Sequence, residues 1–153
     1  MARIEDIPEP TRSGILGLEV TPFDTRPFVS GPKLSKRRVA MVSSAALFRR
    51  GEAPFPPGSA EYRALPADLP AGEILMSHVS INFDRAGWQR DINTAYPIDR
   101  LRELAAEGVI GAVAETHYSV MGSTDPRAMA ASADAMAARM HAEGVDAVLL
   151  SPV

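Results

Sequence analysis

No cysteine occurs among the 153 residues, so within them a disulfide framework, a thiolate metal site and a cysteine nucleophile are all excluded. Redox chemistry would need a group that these residues do not carry. Positive charge is scarce too: 16 Lys plus Arg stand against 19 Asp plus Glu, a formal charge of -3. That balance argues against a nucleic-acid or anionic-membrane partner, since both require a clustered positive field. Lysine occurs only as Lys33 and Lys36, which beside the abundant alanine reads as genomic composition bias. No run approaches the roughly 20 apolar residues that span a bilayer. Met1 to Pro10 is acidic and proline-containing, without the apolar centre of a secretory signal. The expectation is a soluble, cytoplasmic protein. GxGxxG, GxxxxGK[ST] and GxSxG are all missing, so nucleotide-binding and α/β-hydrolase readings lack their motifs.

What is present suits one globular domain, with 46% hydrophobic and 23% charged residues, enough to bury a real core. Residues 1–35 hold Pro8, Pro10, Pro22, Pro27 and Pro32 and predict an extended N-terminal arm lying over a core. Residues 36–153 form the α/β domain, interrupted at 49–72 by an irregular connection with five further prolines. Within it, Val39 to Leu47 and Glu73 to Val79 read as strands. Ile98, Leu101, Leu104 and Ala105 lie at helical spacing before Gly108, predicting an amphipathic helix over 97–107. Val109 to Val113 follows as a strand. Asp125 and Pro126 open a second helix on which Met129, Ala133, Met136 and Met140 make one core stripe as far as Gly144. Val145 to Val153 is a last strand. This alternation predicts a parallel, Rossmann-like sheet with helices on both faces, three layers deep and incomplete at its C-terminal side.

Ligands of open parallel sheets sit beyond the carboxyl ends of the strands, which selects Ser43 and Ser44, the stretch from His78 to Asp84, and the stretch from His117 to Ser123. The richest segment is 77–100, where His78, Asn82, Asp84, Arg85, Asp91 and Asn93 crowd a non-helical connection, as a small-molecule site requires. The plain alternative is that Asp and Asn close turns by bonding their own backbone. His78 and His117 suit proton transfer or contact with a substrate carboxylate, or simple hydrogen bonding in a core. A metal-dependent lyase or hydrolase using both is a weaker reading, because no HxH or HExxH spacing supports it. Ser43 and Ser44 could hold an anion, although serine is common at strand ends. Trp88, beside Gln89 and Arg90, reads as loop packing before ligand stacking.

Four strings in order, SHVSINFDR at 77–85, D-x-N at 91–93, YPIDRLREL at 96–104 and EGVIGAVAETHYSVMG at 107–122, together resemble the selenoprotein B family. These are the substrate-specific subunits of glycine, sarcosine, betaine and D-proline reductases. The resemblance covers roughly residues 37–153, and the arm and proline-rich loop also look like smaller aerobic-type relatives. It implies reductive cleavage of a carbon–nitrogen or similar bond next to a carboxylate. A selenolate would attack the α-carbon, release the amine and pass the oxidising equivalent on through a selenenylsulfide. It further implies a lining of His78, Asn82, Asp84, Asp91, Asn93, His117, Tyr118 and Ser43, with no resident metal and no cofactor besides the selenocysteine.

In the family, the strand similar to VDAVLLSPV runs into selenocysteine or cysteine, then a proline and a second cysteine. Here Val153 is the last residue, so the expectation is truncation at a UGA codon, with the nucleophile beyond Val153 and the 153-residue chain inactive alone. The implied partners are a small amino-acid-like substrate, a second copy of the chain, and reductase-complex subunits or a thiol reductant; neither nucleic acid nor membrane is expected. The alternative class is a non-enzymatic binding or interaction module on the same fold.

Overall fold

The computed structural model describes residues 3–17, 26–80 and 83–153 and divides the chain into two compact units, Met1–Ser30 and Gly31–Val153. In the first unit the arm expected to be extended carries a short helix, α1 (Thr11–Leu16). Glu9 anchors it from just outside. The Glu9 carboxylate accepts from the Ser13 amide at 3.1 Å, the Ser13 hydroxyl at 2.6 Å and Arg12 Nε at 2.8 Å, covering donors that a first helical turn leaves open. These bonds, Ser13's first, hold its pKa below the usual carboxylate value.

The second unit is built around β1 (Arg38–Ser43), whose residues are buried or half-buried throughout, as a central strand covered on both faces must be. On one edge β1 runs parallel to β5 (Ala112–Val113) and β6 (Thr116–Val120), and on the other to β7 (Ala147–Ser151). Backbone direction fixes the two edges: the Arg37 and Val39 carbonyls accept from Ala112 and Ala114, while the Arg38 carbonyl accepts from Asp146. β3 (Tyr62–Pro66) closes the far side of β6 in antiparallel register. The sheet is therefore mixed but mostly parallel.

Helices cover both faces. α3 (Ile98–Ala106) buries Ile98 and Leu101 among Val39, Met41, Leu65 and Tyr96. On the other face α4 (Ala130–Ala142) lays Met136 and Met140 against Ala40, Ala114, Tyr118 and Val120. Successive β1 residues thus serve opposite layers, and the predicted three-layer α/β architecture is what forms. Of the predicted stripe, Met136 and Met140 are core and Met129 is half-buried, whereas Ala133 is exposed. α4 starts at Ala130 rather than at Asp125, because Asp125 Oδ1 accepts from the Arg127 amide at 2.9 Å and closes a local turn instead.

Three strand details also differ from expectation. The run from Val39 breaks after Ser43, and its second part becomes β2 (Leu47–Arg49). The run from Glu73 contains β4 (Ile74–Met76), which joins no parallel strand: it pairs antiparallel with β2 in a separate ribbon. The proline-rich connection contains β3, tolerated because Pro66 sits at the strand's end.

β7 pairs only with β1 among the described residues, and its Val148, Leu149 and Leu150 remain 44%, 39% and 69% exposed. No helix among the described residues is long and apolar enough to cross a membrane.

Candidate functional site

Ser43 pairs in register with Ser119 on one side and with Ser151 on the other, so a row of serines crosses the carboxyl ends of three parallel strands. Their hydroxyls knit the ends to the loop above. Ser43 Oγ donates to the Ala95 carbonyl at 2.8 Å and Ser151 Oγ to the same oxygen at 3.2 Å. Ser119 Oγ donates to the Ser43 carbonyl at 2.9 Å and accepts from the Leu47 amide at 2.8 Å. Ser44 is a hub: its amide donates to Ser151 O at 3.1 Å, its carbonyl accepts from the Gly122 amide at 3.1 Å, and its Oγ accepts from the Val153 amide at 2.9 Å. Glycine is required at 122, where a Cβ would stand 2.9 Å from Ser44 O.

His78 leans on this hub. Only 9% exposed, it meets the Ser44 backbone, and the Phe83 ring lies edge-on with centroids 5.3 Å apart. Burial, then the charge of Arg85, pulls its pKa below the usual histidine value against the opposing Ser44 contact. Arg85 Nη2 donates to the His78 carbonyl at 2.9 Å. The ring is therefore neutral near pH 7, and its buried Nδ1 has no partner among the described residues. An imidazole in that state can accept a proton or a hydrogen bond.

His117 is a different case. Val39 pairs with Val113 but Val42 with Tyr118, so the β5–β6 run carries two extra residues opposite β1. The bulge leaves a gap in the ladder. His117 fills it, its Nδ1 accepting from the Met41 amide at 3.0 Å. Fully buried, with Tyr96 edge-on at 5.9 Å, it is pulled down to a pKa of about 4, by burial first and Arg102 second. Tyr96 is itself pushed well above the usual tyrosine value by burial. Adjacent Tyr118 points to the opposite face, packed with Tyr62 at 5.8 Å between centroids and with Arg139 5.9 Å from its ring centre. His117 and Tyr118 thus share no lining.

Asp84 caps α2 (Arg85–Arg90), accepting from the Ala86 amide at 3.0 Å, so the connection expected to be non-helical holds a short capped helix. Asp91 and Asn93 belong to a second cap, at the head of α3. Asp91 Oδ1 accepts from the Asn93 amide at 2.9 Å and from Nδ2 at 2.8 Å, Asn93 Nδ2 also reaches Asp99 Oδ2 at 3.0 Å, and Asn93 Oδ1 accepts from the Asp99 amide at 3.0 Å. Arg102 extends the chain from Asp99 to the Ala67 carbonyl. The D-x-N and YPIDRLREL strings are thereby one hydrogen-bonded unit. Asn93→Ala removes the side-chain acceptor that covers α3's first turn and should lower stability by about 1–2 kcal/mol. Urea unfolding of the variant measures this, and an unchanged midpoint would show the cap to be idle.

Asp91 and Asn93 also line a groove of about 560 Å³ together with Arg50, Trp88 and Arg90; Ser43, His78, His117 and Tyr118 do not reach it. Asn82 lies outside the described residues. No three His, Cys, Asp or Glu side chains gather among the described residues as a metal would need, so the lyase or hydrolase reading finds no donor set there. The residues that the sequence reading undervalued are Ser44, Ser119 and Ser151. Their signal was available: Ser43, Ser119 and Ser151 come at or near the ends of three strand runs, in VS, YS and LLS, and Ser44 follows Ser43 directly.

Comparison with known proteins adds a family. The profile described as glycine/sarcosine/betaine reductase selenoprotein B matches residues 67–153. The D-proline reductase subunit gamma of Acetoanaerobium sticklandii is 31% identical over 122 residues, covering 78% of this chain and 50% of that protein. The glycine reductase complex component B subunit gamma of Carboxydothermus hydrogenoformans is 31% identical over 125 residues, covering 77% of this chain and 28% of its own length. The chain spans half or less of these curated relatives. No solved structure matches it.

Proposed function

The chain belongs to the glycine/sarcosine/betaine reductase selenoprotein B family, and from that premise we propose that it is the substrate-holding part of a reductase-complex subunit. The reaction is reductive cleavage of a carbon–nitrogen bond next to a carboxylate in a small amino-acid derivative. A selenolate or thiolate carried beyond β7 supplies a soft nucleophile that is ionised at neutral pH. The residues of this chain do the rest. The serine row fixes the direction in which the backbone leaves β7, through Ser151 on Ala95 and Val153 on Ser44. His78, neutral and with no partner for Nδ1 among the described residues, exchanges a proton with the reacting amine. His117 acts only by holding β1 against β6. The further partners are other subunits of the complex and a thiol reductant.

The observation that carries this reading is the row of in-register serines with His78 beside it, at the strand ends where such sheets bind ligands, in residues that hold no thiol. The test joins the 153 residues to the segment that follows the corresponding strand in the full gene, with cysteine at the nucleophile position. Dithiol-dependent cleavage of glycine, sarcosine, betaine or D-proline is expected from the extended protein with its partner subunits, and none from the 153 residues alone. Activity in the short form, or none in the extended one, refutes the proposal.

A further inference from the structure

His78 heads a short connection that folds back on itself. Arg85 opens α2 and returns its guanidinium to the start of that connection, where Nη2 donates to the His78 carbonyl at 2.9 Å. Between them the Phe83 ring stands edge-on to the imidazole. Arg85 is exposed and makes no ion pair among the described residues. The adjacent Asp84 is the natural counter-charge, yet the fold commits its carboxylate to the helix start. Asp84 Oδ1 accepts from the Ala86 amide at 3.0 Å, and Oδ2 lies over Gly87, where a Cβ would approach it to 2.7 Å. Arg85 therefore carries an uncompensated positive charge beside a ring that is only 9% exposed.

We propose that Arg85 is the positioning residue of the strand-end site: it ties the His78 backbone in place and turns an unneutralised charge on the imidazole. The inference rests on the reductase reading and adds to it the group that sets the pH at which His78 exchanges its proton. Burial disfavours an imidazolium, and a nearby cation disfavours it further. Burial is the larger cause at His78; Arg85 comes second and is the one charged group that acts on the ring among the described residues, with the Ser44 backbone opposing both. The result is a neutral ring whose Nδ1, without a partner among the described residues, is an acceptor at neutral pH. Arginine suits both tasks. Its guanidinium does not deprotonate, and one N–H holds a carbonyl while the other donors stay in water. Lysine supplies the charge but not the planar fork.

The chain has three histidines, His78, His117 and His141, so proton NMR follows the His78 ring through a pH titration without any turnover, and His78→Gln identifies its signal. In the 153-residue chain Arg85→Met should move the His78 titration to higher pH, whereas Arg85→Lys should leave it near the wild-type position. Wild type supplies a measurement that needs no variant. Raising the salt from about 10 mM to about 1 M shortens the screening length from about 30 Å to about 3 Å, which should also move the His78 titration upward, and this response should vanish in Arg85→Met. Circular dichroism verifies that the variants keep their fold. An unmoved titration in Arg85→Met, or equal shifts in Arg85→Met and Arg85→Lys, overturns the proposal. In the extended protein with its partner subunits, Arg85→Met should lower kcat about tenfold at neutral pH with KM changed less than about twofold, and the acid limb of its rate profile should move upward with the NMR titration. A merely structural arginine would move neither. An active extended protein whose acid limb ignores Arg85→Met sinks the positioning role alone. An inactive extended protein whose His78 titration still answers to Arg85 sinks the reductase reading alone.

Discussion

Lowering the pH from 6.5 to 4 should remove about 3 kcal/mol of stability through His117 alone. In the unfolded chain an ordinary histidine takes up its proton near pH 6.5, whereas burial, assisted by Arg102 and partly opposed by Glu143, delays protonation of the folded ring until about pH 4. The unfolded state therefore binds more protons across that window. The contribution is complete above 6.5, shrinks as the pH falls, and changes no further below 4. His78 is shifted in the same direction and adds to the slope. Asp91 and Asp99, held below the ordinary carboxylate value, lose their contribution only at lower pH. For a chain of this size the His117 effect corresponds to roughly 10 °C in Tm. Urea unfolding at closely spaced pH values measures it. The informative variant is His117→Asn, which keeps an acceptor for the Met41 amide while removing the titration, so its profile between 6.5 and 4 should retain only the shallower His78 slope. A wild-type profile that is flat over this window would contradict the buried, neutral ring.

A second large effect is expected at Gly111. A Cβ there would stand 2.6 Å from the Lys36 carbonyl carbon and 2.9 Å from the Arg37 nitrogen and oxygen. All three are backbone atoms at the entrance to β1, and the Arg37 carbonyl already accepts from the Gly111 and Ala112 amides. Nothing at that point is a flexible side-chain tip, so the strand pair itself must move apart. Gly111→Ala should cost about 3 kcal/mol, the upper end of ordinary overpacking. Gly108 makes the contrast. Its φ is +74° with open space around the missing Cβ, so Gly108→Ala pays only for left-handed backbone, about 1 kcal/mol. Equilibrium unfolding of the two variants side by side tests the ordering; equal losses would mean that the close approach at Gly111 relaxes freely.

Most of the layer plan was legible because the periodicities are local. Ile98, Leu101, Leu104 and Ala105 declare α3, the methionine stripe declares α4, and the alternation with short apolar runs declares a parallel sheet. What was hidden depends on contacts distant in sequence. β3 lies in a proline-rich stretch whose strand character is decided by pairing with β6. The run from Glu73 is a strand by composition, yet only the position of β2 decides that the two leave the main sheet. His117 reads as a strand-end residue until the bulge between Val113 and Thr116 carries it into the middle of the ladder. Asp91 and Asn93 illustrate the same limit from the other side: residues that look like ligand-binding groups also act as caps, and the fold lets them line a groove while doing so. The serine row was visible as three separate residues, but only register makes it a row.

The pairing of β1 with β7 also governs how the protein can be made. The Arg38 amide donates to Asp146, 108 residues further along the chain, so one edge of the central strand cannot be completed until β7, made more than a hundred residues later, has left the ribosome. At synthesis rates of roughly 5–20 residues per second, that wait lasts roughly 5–20 s, far longer than local helix or hairpin formation, which takes microseconds. Translation therefore times the closure of the sheet, and throughout the delay the nascent chain presents an open, apolar strand edge of the kind that holding chaperones recognise.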